Sequence, residues 1–260
     1  TVITTAKYTI GASVVARCLR SFGTSRPLIA LLDASLMGTE VERSLEAEGW
    51  RVRAIPPLSN PNTDLVRTRP WFETTFSKLH VFGLEGFDKV VFLDADLLIT
   101  RGIDELFALD LSDDPDLPFA AAPEVFPPDS FNSGVMVVAP SKRIFEMVTA
   151  AANEVESYDG SDQGFLNRFF SGWFQSAAAH RLPFAYNIPQ TLPLYHPAAW
   201  DRALSSSKVA ILHFAGDDSM KPWSFSGVVP PSLGVYVHLW HAIARAAPGA
   251  NVRWMVEKAL

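Results

Sequence analysis

Cysteine is nearly absent from this chain, Cys18 being the only one. An internal disulfide is excluded, and the usage fits a reducing compartment. Cys18 lies in the apolar helical stripe Val14, Val15, Cys18, Leu19, Phe22, which marks a buried thiol rather than a nucleophile. Basic charge is short too. Lys and Arg number 22 against 28 Asp and Glu, for a net charge of −6. That balance argues against a general nucleic-acid or anionic-membrane partner, while leaving room for a local phosphate pocket. No apolar run approaches the about 20 residues needed to cross a bilayer. The N-terminal TVITTAKYTIG lacks a basic segment followed by a long apolar stretch. We expect a cytoplasmic protein with neither membrane nor nucleic acid as partner. Four signatures are missing as well: Gly-x-Ser-x-Gly, Cys-x-x-Cys, Gly-x-x-x-x-Gly-Lys-Ser/Thr and Gly-x-Gly-x-x-Gly. The serine-hydrolase elbow, the paired-cysteine motif, the P-loop and the dinucleotide fingerprint go with them.

What is present is a core. Of the 260 residues 48% are hydrophobic and 19% charged, enough to bury one large interior. Strand and helix signals alternate through the first half. Thr1–Thr5 reads as a strand, Gly11–Ser21 as a helix, Pro27–Leu32 as a strand, and Thr39-x-x-Glu42 as a capping box opening a helix to Glu48. Trp50–Ile55 is a strand, Pro56–Pro70 a loop, Phe72–Phe82 a helix and Val90–Leu93 a strand. This order predicts an α/β fold, a mostly parallel central sheet flanked by helices. The second half reads as strands at Phe119–Ala122, Ser133–Val138 and Val209–Phe214, with helices at Ser141–Tyr158, Asp162–Phe170 and Leu233–Arg245 and a loop at Ala215–Pro231. With no repeat or linker in view, residues 1–260 are expected to form a single domain.

The stretch KVVFLDADLL, Lys89–Leu98, carries the strongest chemical signal. A strand buried on both faces ends in Asp94-Ala95-Asp96. Ligands in open α/β sheets sit beyond the carboxyl ends of strands. Hard oxygen donors there suit Mg²⁺ or Mn²⁺, ions that travel with phosphates. Asp-x-Asp alone reads equally well as a turn ending a strand. Four further clusters are similarly two-sided. Phe131-Asn132-Ser133-Gly134 offers groups for sugar hydroxyls or an ordinary turn. Tyr158 to Gly164, YDGSDQG, offers Asp162 and Gln163 to a substrate or caps a helix. His213-Phe214-Ala215-Gly216 with Lys221-Pro222-Trp223 offers an imidazole, a close backbone approach and a phosphate-binding cation. Thr4 to Tyr8 offers an aromatic for a base or for packing. His80, His238 and His241 read as packing residues.

In this order the segments resemble the glycogenin-like branch of retaining glycosyltransferases, family 8, with the GT-A fold. The carriers are ITTAKY at Ile3–Tyr8, KLH at Lys78–His80, FLDADLL at Phe92–Leu98, FNSGV at Phe131–Val135, DGSDQGFLN at Asp159–Asn167, LPFAYN at Leu182–Asn187 and HFAG…KPW at His213–Trp223. The resemblance implies Mn²⁺ as cofactor, with Mg²⁺ the alternative ion, held by Asp94, Asp96 and His213. It implies a uridine cradle at Ile3, Thr5 and Tyr8, positive groups near the nucleotide at Arg69 and Lys78, and a ribose contact at Ala95. Gly216 and Lys221 would grip the diphosphate. Asn132, Ser133, Asp159, Asp162 and Gln163 would form the donor-sugar pocket. Asp162, Gln163 and Lys221 are the residues it implicates in catalysis. Two departures stand near these positions: a Tyr8 loop one residue short, and two extra residues within Asp217-Asp218-Ser219-Met220.

Within the family, the chain resembles the soluble cytoplasmic α-galactosyltransferase that caps a glycan on the ubiquitin-ligase subunit Skp1 in some protists more than a glycogen primer. The expected activity is Mn²⁺-dependent retaining transfer of a hexose, galactose before glucose, from a UDP-hexose to a separate glycan or glycoprotein acceptor. Double displacement and same-face internal return both stay open. The close alternative is a glycogenin glucosylating its own tyrosine, for which Tyr195 is the candidate in Ile188–Trp200. A non-catalytic sugar-nucleotide-binding protein is the alternative of another class. The aromatic helix Val235–Trp240 and the family habit suggest a homodimer.

Overall fold

The computed structural model describes residues 1–69, 72–205, 209–225 and 229–260. The loop readings Pro56–Pro70 and Ala215–Pro231 therefore fall partly outside the described residues, at 70 and at 226–228. In chain order the elements are β1 Val2–Ile3, α1 Thr9–Ser21, β2 Leu28–Asp33, α2 Glu40–Ala47, β3 Trp50–Ile55, α3 Thr63–Thr68, β4 Val90–Leu93 and β5 Leu97–Ile99. There follow β6 Phe119–Pro123, β7 Phe131–Val138, α4 Lys142–Ala151, α5 Asp162–Phe169, β8 Ile188–Pro189, α6 Leu192–Tyr195 and α7 Pro197–Ser205. β9 Ile211–His213, α8 Pro231–Ala244 and α9 Arg253–Ala259 complete the order. The chain divides into two compact units. The first holds Thr1–Ala54, Asp94–Asp104 and Ala185–Leu260, and the second Ile55–Leu93 and Glu105–Phe184.

The first unit contains two small sheets, in strand orders β1-β2-β3 and β5-β9-β8. β1 runs parallel to β2 and β8 to β9, whereas β5 is antiparallel to β9. α1 is buried well beyond a single stripe, with Ala12, Val14, Val15, Ala16, Arg17, Cys18 and Leu19 all inside. It packs against β5, α2 and α8. Burial pushes the Cys18 thiol up to about 12, so it is inert at neutral pH. Arg17 is charged and buried, and it finds partners at each donor. Its Nε lies 3.1 Å from Glu48 Oε2, and Nη2 pairs with Glu48 Oε1. Nη1 donates to the carbonyls of Ile243 at 2.8 Å and Ala244 at 3.0 Å, at the C-terminus of α8 where a cation is favoured.

The second unit is built on an antiparallel sheet, order β4-β7-β6. All eight residues of β7 are buried, as expected of a central strand. An aromatic cluster backs it, with Phe119 edge-on to Phe131 at 4.9 Å and to Phe170 at 5.0 Å. α5 begins where Ser161 Oγ accepts from Gln163 N at 3.1 Å, and α4 where Ser141 Oγ accepts from Ile144 N at 3.2 Å.

The α/β class of the sequence reading holds, but the described pairings are mixed rather than mostly parallel. β6 and β7 are joined by a loop too short to return a strand in parallel, and β4 and β5 pair antiparallel with β7 and β9. Three helices also end differently. Phe72–Phe82 is a 3₁₀ run at Thr75–Gly83, the α4 helix stops at Ala151 rather than at Tyr158, and α8 starts at Pro231.

Glu48→Ala would leave the Arg17 guanidinium buried beside nothing of opposite charge. We expect urea unfolding followed by circular dichroism to show a loss of about 3–5 kcal/mol. A loss typical of an exposed acid would mean that solvent reaches Arg17.

Candidate functional site

In the first unit, Asp94, Ala95 and Asp96 form the bend between β4 and β5. The bend suspends strand alternation, so both carboxylates reach one point. The register of β5 on β9 places Leu97 opposite His213. Phe214 N donates to Asp96 O at 2.9 Å on the same ladder. The imidazole is thereby set beside both acids. His213 Nε2 lies 3.3 Å from Asp96 Oδ1 and 4.0 Å from Asp94 Oδ2. One ligand atom from each of the three residues falls within 4.8 Å of the others. Asn187 Oδ1 sits 2.9 Å from His213 Nδ1. A ring that donates there from Nδ1 is held with Nε2 toward the carboxylates, so that Nε2 is the atom that would face a bound metal. This mixed oxygen and nitrogen set fits a divalent ion such as Mn²⁺.

Asp96 is almost fully buried. Burial alone would raise its pKa, but Lys221 and then His213 outweigh that and hold it far below the usual carboxylate range. Lys221 Nζ donates to Asp96 Oδ2 and, at 3.0 Å, to Phe214 O. Before Lys221 the chain forms a short 3₁₀ turn, Asp218–Met220, that Asp217 caps by accepting from Ser219 N at 2.9 Å. Gln190 Nε2 ties both ends of this loop, donating to Ala215 O at 3.0 Å and Met220 O at 2.9 Å. Gly216 has φ +120, and a Cβ there would meet Met220 Sδ at 2.7 Å. Asp218 reaches across to Lys7 at 2.6 Å.

Ile3 is wholly buried in β1, so only its backbone can serve a ligand. Tyr8 stands edge-on to Trp223 at 5.2 Å. Burial first, then Asp96, Asp218 and Asp94, push its phenol up, so it stays neutral. Thr5 Oγ1 and Trp223 Nε1 are buried without a hydrogen-bond partner among the described residues. Orphaned polar atoms beside Tyr8 suit a polar ligand.

In the second unit, Lys78, Asn132, Ser133, Asp162 and Gln163 come together. Asp162 Oδ2 accepts from Ser133 Oγ at 2.8 Å and pairs with Lys78 Nζ at 3.0 Å. Ser133 N donates to Gln163 Oε1 at 3.2 Å. Asp159 is spent on local structure. Its Oδ1 accepts from Ser157 Oγ at 2.9 Å, Ser161 N at 2.8 Å and Gly164 N at 3.1 Å, shaping the turn into α5. Asn60 holds that turn through Gly160 O at 2.7 Å. Arg69 is exposed, its guanidinium 5.6 Å from the Phe72 ring centre, and among the described residues it is not bonded to this group.

Four residues that the sequence reading did not single out shape these sites. Asn187 closes the LPFAYN motif, and its amide type was the available hint. Gln190 and Glu124 carried no signal of their own. Gly11 opens α1, and a Cβ there would lie 2.2 Å from Ala95 O and 2.9 Å from Trp223 Cζ3. Only glycine lets the helix approach the acidic bend so closely.

The sequence matches the family described as Glycosyl transferase family 8 over residues 3–227. The chain belongs to that family. Among curated relatives of this family 8 chain, Glycogenin-1 of Caenorhabditis elegans is 38% identical over 248 residues, spanning 95% of this chain and 54% of the relative. UDP-glucuronate:xylan alpha-glucuronosyltransferase 1 of Arabidopsis thaliana is 33% identical over 231 residues, spanning 83% of this chain and 30% of the relative. The chain thus covers about half or less of the length of these relatives. Among solved structures, the galactosyltransferase LgtC, in complex with donor and acceptor sugar analogs, superposes with a TM-score of 0.67 at 18% identity, over 100% of this chain and 99% of that one. The fold of the family 8 chain is accordingly of the GT-A type.

Gly11→Ala should push α1 off the Ala95 carbonyl. We expect a stability loss of about 1–3 kcal/mol in urea unfolding, with Mn²⁺ affinity, read by electron paramagnetic resonance of the free ion, down about tenfold. Lost stability with unchanged Mn²⁺ affinity would show that the helix gives way and the bend does not.

Proposed function

We propose that this family 8 chain transfers a hexose from a UDP-hexose with retention of configuration, in a reaction dependent on Mn²⁺. The observation that carries the proposal is the convergence of Asp94, Asp96 and His213 at one point. These three would hold the ion, which supplies positive charge for the leaving diphosphate. Lys221 adds a fixed cation against Asp96, and the Gly216 loop offers backbone without a side chain. Tyr8, beside the orphaned Thr5 hydroxyl, suits the uracil, with Ile3 and Ala95 contributing backbone. In the second unit Lys78 and Ser133 hold one oxygen of Asp162. Its Oδ1 carries no hydrogen bond among the described residues, and a carboxylate oxygen of that kind can stabilise an oxocarbenium-like sugar. As the bond from C1 to the diphosphate breaks, UDP departs with the bonding pair. An acceptor hydroxyl forms the new bond on the same face and gives up its proton to the departing diphosphate.

Relatives that are glycogenins and a glucuronosyltransferase shift our preference among donors from galactose to glucose, since glucose and glucuronate share the configuration that galactose inverts at C4. A Skp1-type glycan remains one candidate acceptor. Tyr195 is the second reading. It ends α6 with 73% of its surface exposed, as a self-glucosylated tyrosine requires. Val235 is exposed, but a homodimer would not draw on Tyr236, Val237, Leu239 or Trp240, which α8 buries within its own unit. There Trp240 lies 5.8 Å from Trp223 and Tyr236 5.5 Å from Trp200.

Incubation with UDP-glucose or UDP-galactose and Mn²⁺ should release UDP, and EDTA should stop it. Asp96→Ala should abolish the release and weaken UDP binding; full activity in either case would reject the metal role. Asp162→Asn should cut turnover at least about a hundredfold with little change in UDP affinity. Normal turnover with weakened UDP binding would move Asp162 to the nucleotide end.

Intact mass decides the acceptor. A hexose ladder that vanishes in Tyr195→Phe makes the protein its own acceptor. Unmodified protein that still glycosylates a free glucoside assigns a separate one.

A further inference from the structure

We infer that Glu124 is a positioning residue that fixes which way the Asn132 and Gln163 amides face, and so sets the hydrogen-bond pattern offered to the donor sugar. The sugar role rests on the reading of those two amides given above; the orientation itself stands on contacts within the second unit.

The backbone aims Glu124. β6 pairs with β7 in step at Ala121 and Met136, then slips, so that Pro123 faces Phe131. An irregularity of this kind bends a strand and redirects the side chains that follow. Glu124 comes next. Its N–H donates to Ser130 O at 2.8 Å, closing the loop between β6 and β7. The slip and the closure turn the carboxylate back over the sheet.

That carboxylate has three donors. Oε1 accepts from Val125 N at 2.8 Å. Oε2 accepts from Asn132 Nδ2 at 2.8 Å and from Gln163 Nε2 at 3.1 Å. An ionised carboxylate only accepts, whereas the two ends of an amide differ in nothing but hydrogen-bond role. Glu124 therefore forces the NH₂ end of both amides toward itself. The far ends agree: Asn132 Oδ1 accepts from Gly134 N at 2.9 Å, and Gln163 Oε1 from Ser133 N at 3.2 Å. One acidic side chain thus fixes the NH₂ end of two amides, and backbone N–H groups fix their oxygen ends. Bonds to a charged acceptor are about twice as strong as those between neutral groups, so the arrangement resists flipping. A fixed pattern of donors and acceptors discriminates between hexoses, because an epimer leaves a buried polar group unpaired.

Glu124→Gln replaces the acceptor-only group with another amide of the same shape, which leaves only the Gly134 and Ser133 N–H groups to orient the two neighbours. Glu124→Asp keeps the charge but draws it back by one methylene, and serves if the first variant does not fold. In ¹H–¹⁵N spectra the side-chain NH₂ resonances of Asn132 and Gln163 should shift and broaden in either variant. With Mn²⁺, the kcat/KM ratio between UDP-glucose and UDP-galactose hydrolysis should narrow about tenfold. Affinity for UDP alone should stay within about twofold, because the lost contacts touch the sugar end only.

Unmoved NH₂ resonances would overturn the inference outright. An equal fall on both donors, with their ratio intact, would reduce Glu124 to structural support. Wild-type protein that hydrolyses neither sugar nucleotide would instead sink the transferase reading, and the sugar role of Glu124 with it, while the resonances still decide whether Glu124 orients the amides.

Discussion

Asp96 carries a charge into the interior, and much of the first unit is arranged to make that tolerable. An isolated buried carboxylate would protonate or unfold its surroundings. Here Lys221 takes one oxygen and His213 faces the other, while the Asp96 carbonyl belongs to the ladder with Phe214. Each partner imposes a demand elsewhere. His213 needs the β5–β9 register and Asn187 behind its ring. Lys221 needs a loop that returns to the same point, which Gln190 secures at both ends. The bend needs a helix without a side chain at Gly11. The exposed Lys7–Asp218 pair is worth at most about 1 kcal/mol, so the loop is held from inside, by Gln190 and Lys221.

The second unit meets the same difficulty with fewer charges. Asp162 is buried at the first position of α5, where the helix N-terminus favours an anion, and Lys78 supplies the countercharge. Ser133, on the central strand, bridges the two. The helix cap and the sugar-site candidates overlap there. Ser161 caps α5, Asp159 shapes the turn before it, and Asp162 and Gln163 open the helix. A capping reading and a functional reading of YDGSDQG were never rivals, since a well-capped helix start is a rigid place to mount a reactive carboxylate.

How far this could be read from sequence depended on whether a feature was local. β3 and β4 were legible to the residue because short apolar or alternating runs lie between clear breaks. Thr39 showed as a cap because capping is decided within four residues. β5 was missed: three residues directly after a bend have neither a turn before them nor a run long enough to show a period. The antiparallel pairings were missed because strand direction depends on partners far along the chain. Asp94, Asp96 and His213 were legible as residue types, whereas Asn187, Gln190 and Glu124 act through contacts that leave no pattern in neighbouring residues. The α8 aromatics show the limit of such reading, since an apolar helix face reads alike whether it is covered by its own unit or by a second copy.

On the proposed reading, groups of the first unit would grip a metal and a diphosphate and bind every UDP-sugar alike, so altering Asp94, Asp96, His213 or Lys221 would move affinity for all donors together. Groups that meet hydroxyls distinguish one sugar from another, and those proposed here hang on a strand slip and one acid in the second unit. A slip can be lengthened, and Glu exchanged for a neighbour in size, without touching the charge balance around Asp96. On the proposed reading, donor preference is therefore the property such a chain can change at least cost in stability, whereas the proposed metal site is tied to the burial of Asp96 and to the register of β5 on β9.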